Sequence, residues 1–116
     1  MNLQKTTLSL LFFIMASSVT FAQQDVDSQI NELIKKDNVM LTENDKSLKL
    51  TEEQTLKLKE AYKKLVLFEN DLPRSKKKKK EAYREAMTPI LSETMAYKRS
   101  LLTSKQLAAY NAYDAR

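Results

Sequence analysis

Not one of the 116 residues is glycine, and proline occurs only at Pro73 and Pro89. Glycine is the residue that opens left-handed backbone to tight turns and lets a loop close around a phosphate. Without it, nucleotide binding through a Gly-rich loop is excluded. The composition predicts an all-α protein, long helices joined by polar turns.

Two of those helices announce their starts in the same way. Leu50-Thr51-Glu52-Glu53-Gln54 and Leu102-Thr103-Ser104-Lys105-Gln106 repeat the pattern L-T-x-x-Q at a distance of 52 residues. Thr followed three residues later by Gln is a capping box: the Thr oxygen accepts the N3 amide and the Gln side chain returns to the Thr amide. In the second copy Leu102 is spaced to pack on Leu107 as a hydrophobic staple, whereas the first copy has Thr55 at that place.

The amino terminus reads as an export signal. Lys5 precedes an apolar run from Leu8 to Ala16, and Thr20 and Ala22 supply the small residues before a cleavage site, so residues 1–22 are expected to leave as a leader. The run is far shorter than the ~20 residues of a membrane span. No cysteine is present for a lipid anchor or a disulfide. The leader carries one charged side chain, Lys5, so its removal takes the net charge from +5 to +4. Residues 23–116 are expected to form one periplasmic or secreted domain, and because so short a chain buries a modest fraction of its surface, a homodimer is expected.

Along that domain, Val26, Ile30, Leu33, Ile34 and Asp37 trace a short amphipathic helix capped by Asp25 or Asp27, followed by a polar connector over 38–49. A second helix from Thr51 carries Leu58, Ala61, Leu65, Phe68 and Leu72 at spacings of three and four, widened by Tyr62 and Val66. Glu53 with Lys57 and Glu60 with Lys64 are spaced for outer ion pairs. Asp71-Leu72-Pro73-Arg74-Ser75 breaks that helix, with Ser75 as a cap for the next. The third helix presents Tyr83, Met87, Ile90, Leu91, Thr94, Tyr97 and Leu101, which predicts a helical hairpin. Pro89 within it requires a bend, or a restart with Thr88 as the new cap. The in-phase apolar spacing favours the bend. A fourth helix from Thr103 shows Leu107, Tyr110 and Tyr113 on one arc.

A doubled L-T-x-x-Q motif behind an export signal, in a small basic all-helical chain, resembles the LTxxQ family of periplasmic helical-hairpin proteins, the Spy/CpxP chaperone and stress-modulator group. The resemblance covers about residues 45–116. It implies a bent, cradle-like hairpin with short flanking helices, a dimer, and ATP-independent holding of unfolded proteins or modulation of an envelope-stress response. Leu50, Thr51, Gln54, Leu102, Thr103 and Gln106 are then its structural motif.

The sequence offers little to catalysis. It has no histidine and no cysteine, which removes most nucleophile, general-base and transition-metal arrangements. Glu81 and Glu85 lie one turn apart, as solvated helix carboxylates commonly do. Asp25/Asp27 and Glu43/Asp45 lack the spacing of a calcium loop. No enzyme activity, cofactor or metal is expected. Met40, Met87 and Met95 and the tyrosines read as core or seam residues.

One charged feature stands out. Arg74, Lys76, Lys77, Lys78, Lys79, Lys80 and Arg84 place seven cations in eleven residues against the single acid Glu81. Lysines at a helix start oppose the helix dipole and repel one another, so folding does not explain them. Either they are a solvated hairpin tip, or they contact an unfolded or acidic client or an anionic membrane or glycan surface. Lys57 and Lys64 are weaker additions to such a site. Nucleic acid is not an expected partner, since one aromatic, Tyr83, interleaves the cluster and export separates the chain from the genome.

Overall fold

The computed structural model describes residues 26–115, which form five α-helices and one 3-10 turn with no strand among them. The order is α1 (Val26–Thr42), the turn Lys46–Leu48, α2 (Glu52–Asn70), α3 (Arg74–Lys78), α4 (Lys80–Leu101) and α5 (Ser104–Asp114). The leader and its expected cleavage after Ala22 lie outside the described residues.

α1 continues beyond Asp37, where its apolar spacing was expected to end. Met40 and Leu41 extend the buried face, and the Thr42 hydroxyl closes the last turn on the Asn38 carbonyl at 2.6 Å. The expected polar connector is correspondingly shorter, and Asp45 caps its 3-10 turn by accepting from the Ser47 amide and hydroxyl at 2.9 and 2.6 Å. Those bonds hold the Asp45 carboxyl below the ordinary carboxylate value.

α2 and α4 run antiparallel: Gln54 meets the carbonyl of Leu101 at one end, and Glu69 meets Tyr83 at the other. α1 packs on α2 and α5, so the seam between α2 and α4 is covered by a further layer of helix. The core draws Ile30, Leu33, Ile34, Met40 and Leu41 from α1, Leu58, Tyr62, Leu65 and Val66 from α2, Met87, Leu91 and Met95 from α4, and Tyr110 from α5. All three methionines assigned to the core are buried. Leu58, Leu65 and Tyr110 thus find their partners within one chain, where a bare hairpin would have left them short. Phe68, assigned to the seam, is instead exposed, because the buried arc of α2 runs through Leu58, Tyr62, Leu65 and Glu69.

Both capping boxes form. Thr51 and Thr103 accept from the amides of Gln54 and Gln106 at 3.1 and 3.2 Å, and each glutamine returns to its threonine amide at 2.9 Å. The first motif is further tied to α1, since the Leu50 amide donates to the Asn38 side chain at 2.9 Å. Leu50 is buried and Leu102 half-buried.

The two motifs also hold each other. The Gln54 side-chain amide donates to Gln106 Oε1 at 2.7 Å and the Gln106 amide donates to Gln54 Oε1 at 3.1 Å. Their remaining N–H groups go to main-chain carbonyls just before the opposite motif: Gln54 to Leu101 at 2.9 Å, Gln106 to Leu48 and Lys49 at 3.0 and 3.4 Å. Every donor and acceptor of two buried amides is thereby used.

Two expectations about helix ends are corrected. Ser75 does not cap the helix after the break; Pro73 stands at that position without a side-chain cap bond, and Ser75 lies inside α3. The lysine run then breaks the helix a second time, at Lys79, whose backbone is extended (φ −101°, ψ 116°). A continuous helix would have set these lysines one turn apart, where like charges repel. At Pro89, by contrast, there is no restart. α4 runs unbroken through it, and the Thr88 hydroxyl donates back to the Arg84 carbonyl at 2.6 Å in place of capping. Pro89 is exposed, so the carbonyl of Glu85, deprived of its helical donor, can turn to water.

Candidate functional site

The open side of the α2–α4 pair carries a groove of about 360 Å³, lined on α2 by Lys57, Glu60, Ala61 and Lys64 and on α4 by Ile90, Glu93, Thr94 and Tyr97. The helical repeat explains it. Ala61 and Thr94 are small and leave space between the helices, while the longer side chains one turn away, Lys57 and Lys64 on α2 and Ile90 and Tyr97 on α4, line the sides of the groove. Tyr97 is 42% exposed. Lys57 pairs with Glu53 at 3.1 Å; the Glu60–Lys64 pair read from the spacing is not formed. The arrangement is an apolar floor between charged rims, suited to a few side chains of an extended segment.

None of the seven clustered cations lines this groove. Arg74, Lys76, Lys78, Lys79, Lys80 and Arg84 are exposed around the α3–α4 junction, at the end of the antiparallel pair. Lys77 is half-buried there and donates to the Asn70 carbonyl at 3.2 Å, fastening α3 to the carboxyl end of α2. The two weaker candidates, Lys57 and Lys64, are the ones placed in the groove. Glu81 and Glu85 are exposed on α4. No cluster of three or more metal-ligating side chains occurs among the described residues, and no helix among them is long and apolar enough to cross a membrane.

Behind the lysine tip, Glu69 is 1% exposed. Its carboxylate accepts from the Tyr83 hydroxyl at 3.5 Å. Burial raises the Glu69 carboxyl above its ordinary value, and the charge of Lys77 and the Tyr83 bond offset part of that rise. Tyr83 is pushed well up, by burial first and then by the Glu69 charge.

A buried polar cluster at the junction of α1, α2, α4 and α5 is the feature sequence reading missed. Lys98 Nζ meets Asp37 Oδ1 at 2.9 Å, the Tyr62 hydroxyl donates to Asp37 Oδ2, and the ammonium stands 4.6 Å from the centre of the Tyr110 ring. Burial alone would drive the Lys98 ammonium down; the Asp37 charge and the two tyrosines outweigh it and hold it well above its ordinary value. Tyr62 is raised by burial and by the Asp37 charge. All four side chains are buried, so the cluster joins helices and has no access for a substrate. A signal was present in the spacing: Asp37 shares the arc of Leu33 and Ile34, and Lys98 that of Leu91 and Met95.

Comparison with family models, with characterised proteins and with solved structures found no match to this chain.

Proposed function

We propose that this chain is an exported, non-enzymatic protein that holds unfolded or acidic client segments without ATP, or modulates an envelope-stress response, as its doubled L-T-x-x-Q motif suggests. The observation that carries the reading is the open α2–α4 groove, in which Ala61, Ile90 and Tyr97 offer apolar contact between Lys57 and Lys64. The cations at the α3–α4 junction add long-range attraction for an acidic client, and the groove retains it. A cradle-like dimer belongs to the same reading, with a second copy widening the surface around exposed Leu56 and Tyr97.

A photo-crosslinking residue at Ala61 tests it. Placed there, it should capture an unfolding acidic protein, and placed at exposed Ala112 it should not. Equal capture at both positions would remove the groove from the account.

A second reading is favoured by one observation, the separation of the lysine array from the groove. The cations, half-buried Lys77 apart, are exposed together at the end of the antiparallel pair, away from the groove, which suits docking on an anionic lipid or glycan surface.

A further inference from the structure

We propose that the α2–α3–α4 tip is a docking site for an anionic phospholipid bilayer, in which the lysines engage headgroup phosphates while Leu67 and Phe68 enter the acyl boundary. The inference rests on the reading of the lysine array as an anion-docking tip and adds its partner and its apolar element. Five large apolar side chains are exposed among the described residues, and three of them, Val39, Leu56 and Tyr97, belong to helix segments away from the tip. Leu67 and Phe68, 42% and 39% exposed, occupy the last turns of α2 beside buried Glu69. Glu69 meets the first turn of α4 through Tyr83, and Lys77 binds the Asn70 carbonyl, so the two apolar side chains and the lysine-bearing segment are fastened to one another.

Charge complementarity selects the occupant. Lys76, Lys78, Lys79 and Lys80 are exposed and make no ion pair among the described residues, and the extended backbone at Lys79 spreads them over two short helix ends. A soluble acidic polymer would satisfy the lysines and leave Leu67 and Phe68 in water. A bilayer with anionic headgroups satisfies both, because its phosphates lie at the level of the lysines and its acyl chains begin beneath them.

Vesicle flotation of the full chain tests the inference. Vesicles of phosphatidylcholine with about a quarter phosphatidylglycerol should carry the protein, and pure phosphatidylcholine should not. Each lysine near such a surface strengthens binding roughly fivefold, so Lys76→Gln, Lys78→Gln, Lys79→Gln and Lys80→Gln together should weaken it at least about a hundredfold. The chain contains no tryptophan, so Phe68→Trp provides a single reporter. Its emission should shift to the blue on the anionic vesicles and be quenched by brominated acyl chains, with helical circular dichroism unchanged. No flotation with either vesicle would overturn the bilayer assignment, and no binding of soluble polyphosphate either would overturn the anion-docking reading itself. Flotation without a tryptophan shift, equally competed by soluble polyphosphate, would leave that reading in place and overturn the bilayer assignment.

Discussion

Gln54 and Gln106 close a reciprocal pair of side-chain amide hydrogen bonds, 2.7 and 3.1 Å long, across 52 residues of sequence. Each glutamine also completes its own capping box and reaches a main-chain carbonyl beside the other motif. A capping box alone tolerates glutamate at this position. The reciprocal pair does not, because a carboxylate offers acceptors only and each side chain here must donate twice.

Gln54→Ala should therefore cost about 2 kcal/mol and Gln54→Glu about 3, since the change leaves buried partners unsatisfied and, in the second case, a carboxylate facing a carbonyl. Urea denaturation measures both. The alanine changes at Gln54 and Gln106 should be non-additive by about 1–2 kcal/mol, as expected for groups that share their bonds.

Thr51→Ala and Thr103→Ala should each cost about 1 kcal/mol, because each removes the acceptor for a helix-start amide. Unchanged denaturation midpoints in both would mean that the capping boxes carry no stability.

Lys98→Met should cost about 3–5 kcal/mol by stranding Asp37 in the core, and the double change with Asp37→Leu should recover most of it. The same cluster makes the wild type alkali-sensitive. Lys98 stands above its ordinary 10.5 and Tyr62 above 10.0 when folded, so the folded chain keeps protons that the unfolded chain releases. Its contribution is fully present below about pH 10 and falls as the pH rises further. Thermal unfolding from pH 8 to pH 11 should show the decline in the wild type and a weaker one in the double variant.

Glu69→Gln should raise stability at neutral pH, because the buried carboxylate is costly when ionised. Its folded-state value lies above the ordinary 4.5, so the wild type gains stability as the pH falls through that raised value and levels off below about 4.5. Melting temperatures of the two proteins should therefore converge on acidification.

Much of the architecture is legible in the residues. The missing glycines and the three-and-four spacing predict an all-helical chain, and the Thr-x-x-Gln pairs mark two helix starts that form as expected. What spacing could not supply is which faces meet. That Gln54 and Gln106 face each other depends on α5 returning to the start of α2, a relation between distant segments. Asp37 lies on the apolar arc of α1 in the sequence pattern itself, but that its carboxylate is paired with Lys98 depends on α1 meeting α4, 61 residues away. The groove was missed for a similar reason: Ala61 and Thr94 become a floor only once α2 and α4 are antiparallel. The break at Lys79 was not legible because residues 74–81 carry no apolar side chain, so a hydrophobic pattern says nothing about where a helix runs or stops there.

The most direct measurement of the proposed function is aggregation of an unfolding acidic protein, followed by light scattering without ATP. The wild type should suppress it at near-stoichiometric amounts. Ile90→Ser with Tyr97→Glu should abolish suppression while helical content persists, and Lys76→Gln through Lys80→Gln should slow capture with a reduced dependence on salt, whose screening length is ~8 Å in physiological buffer. Aggregation that proceeds unaltered in the presence of folded wild-type protein would contradict the account.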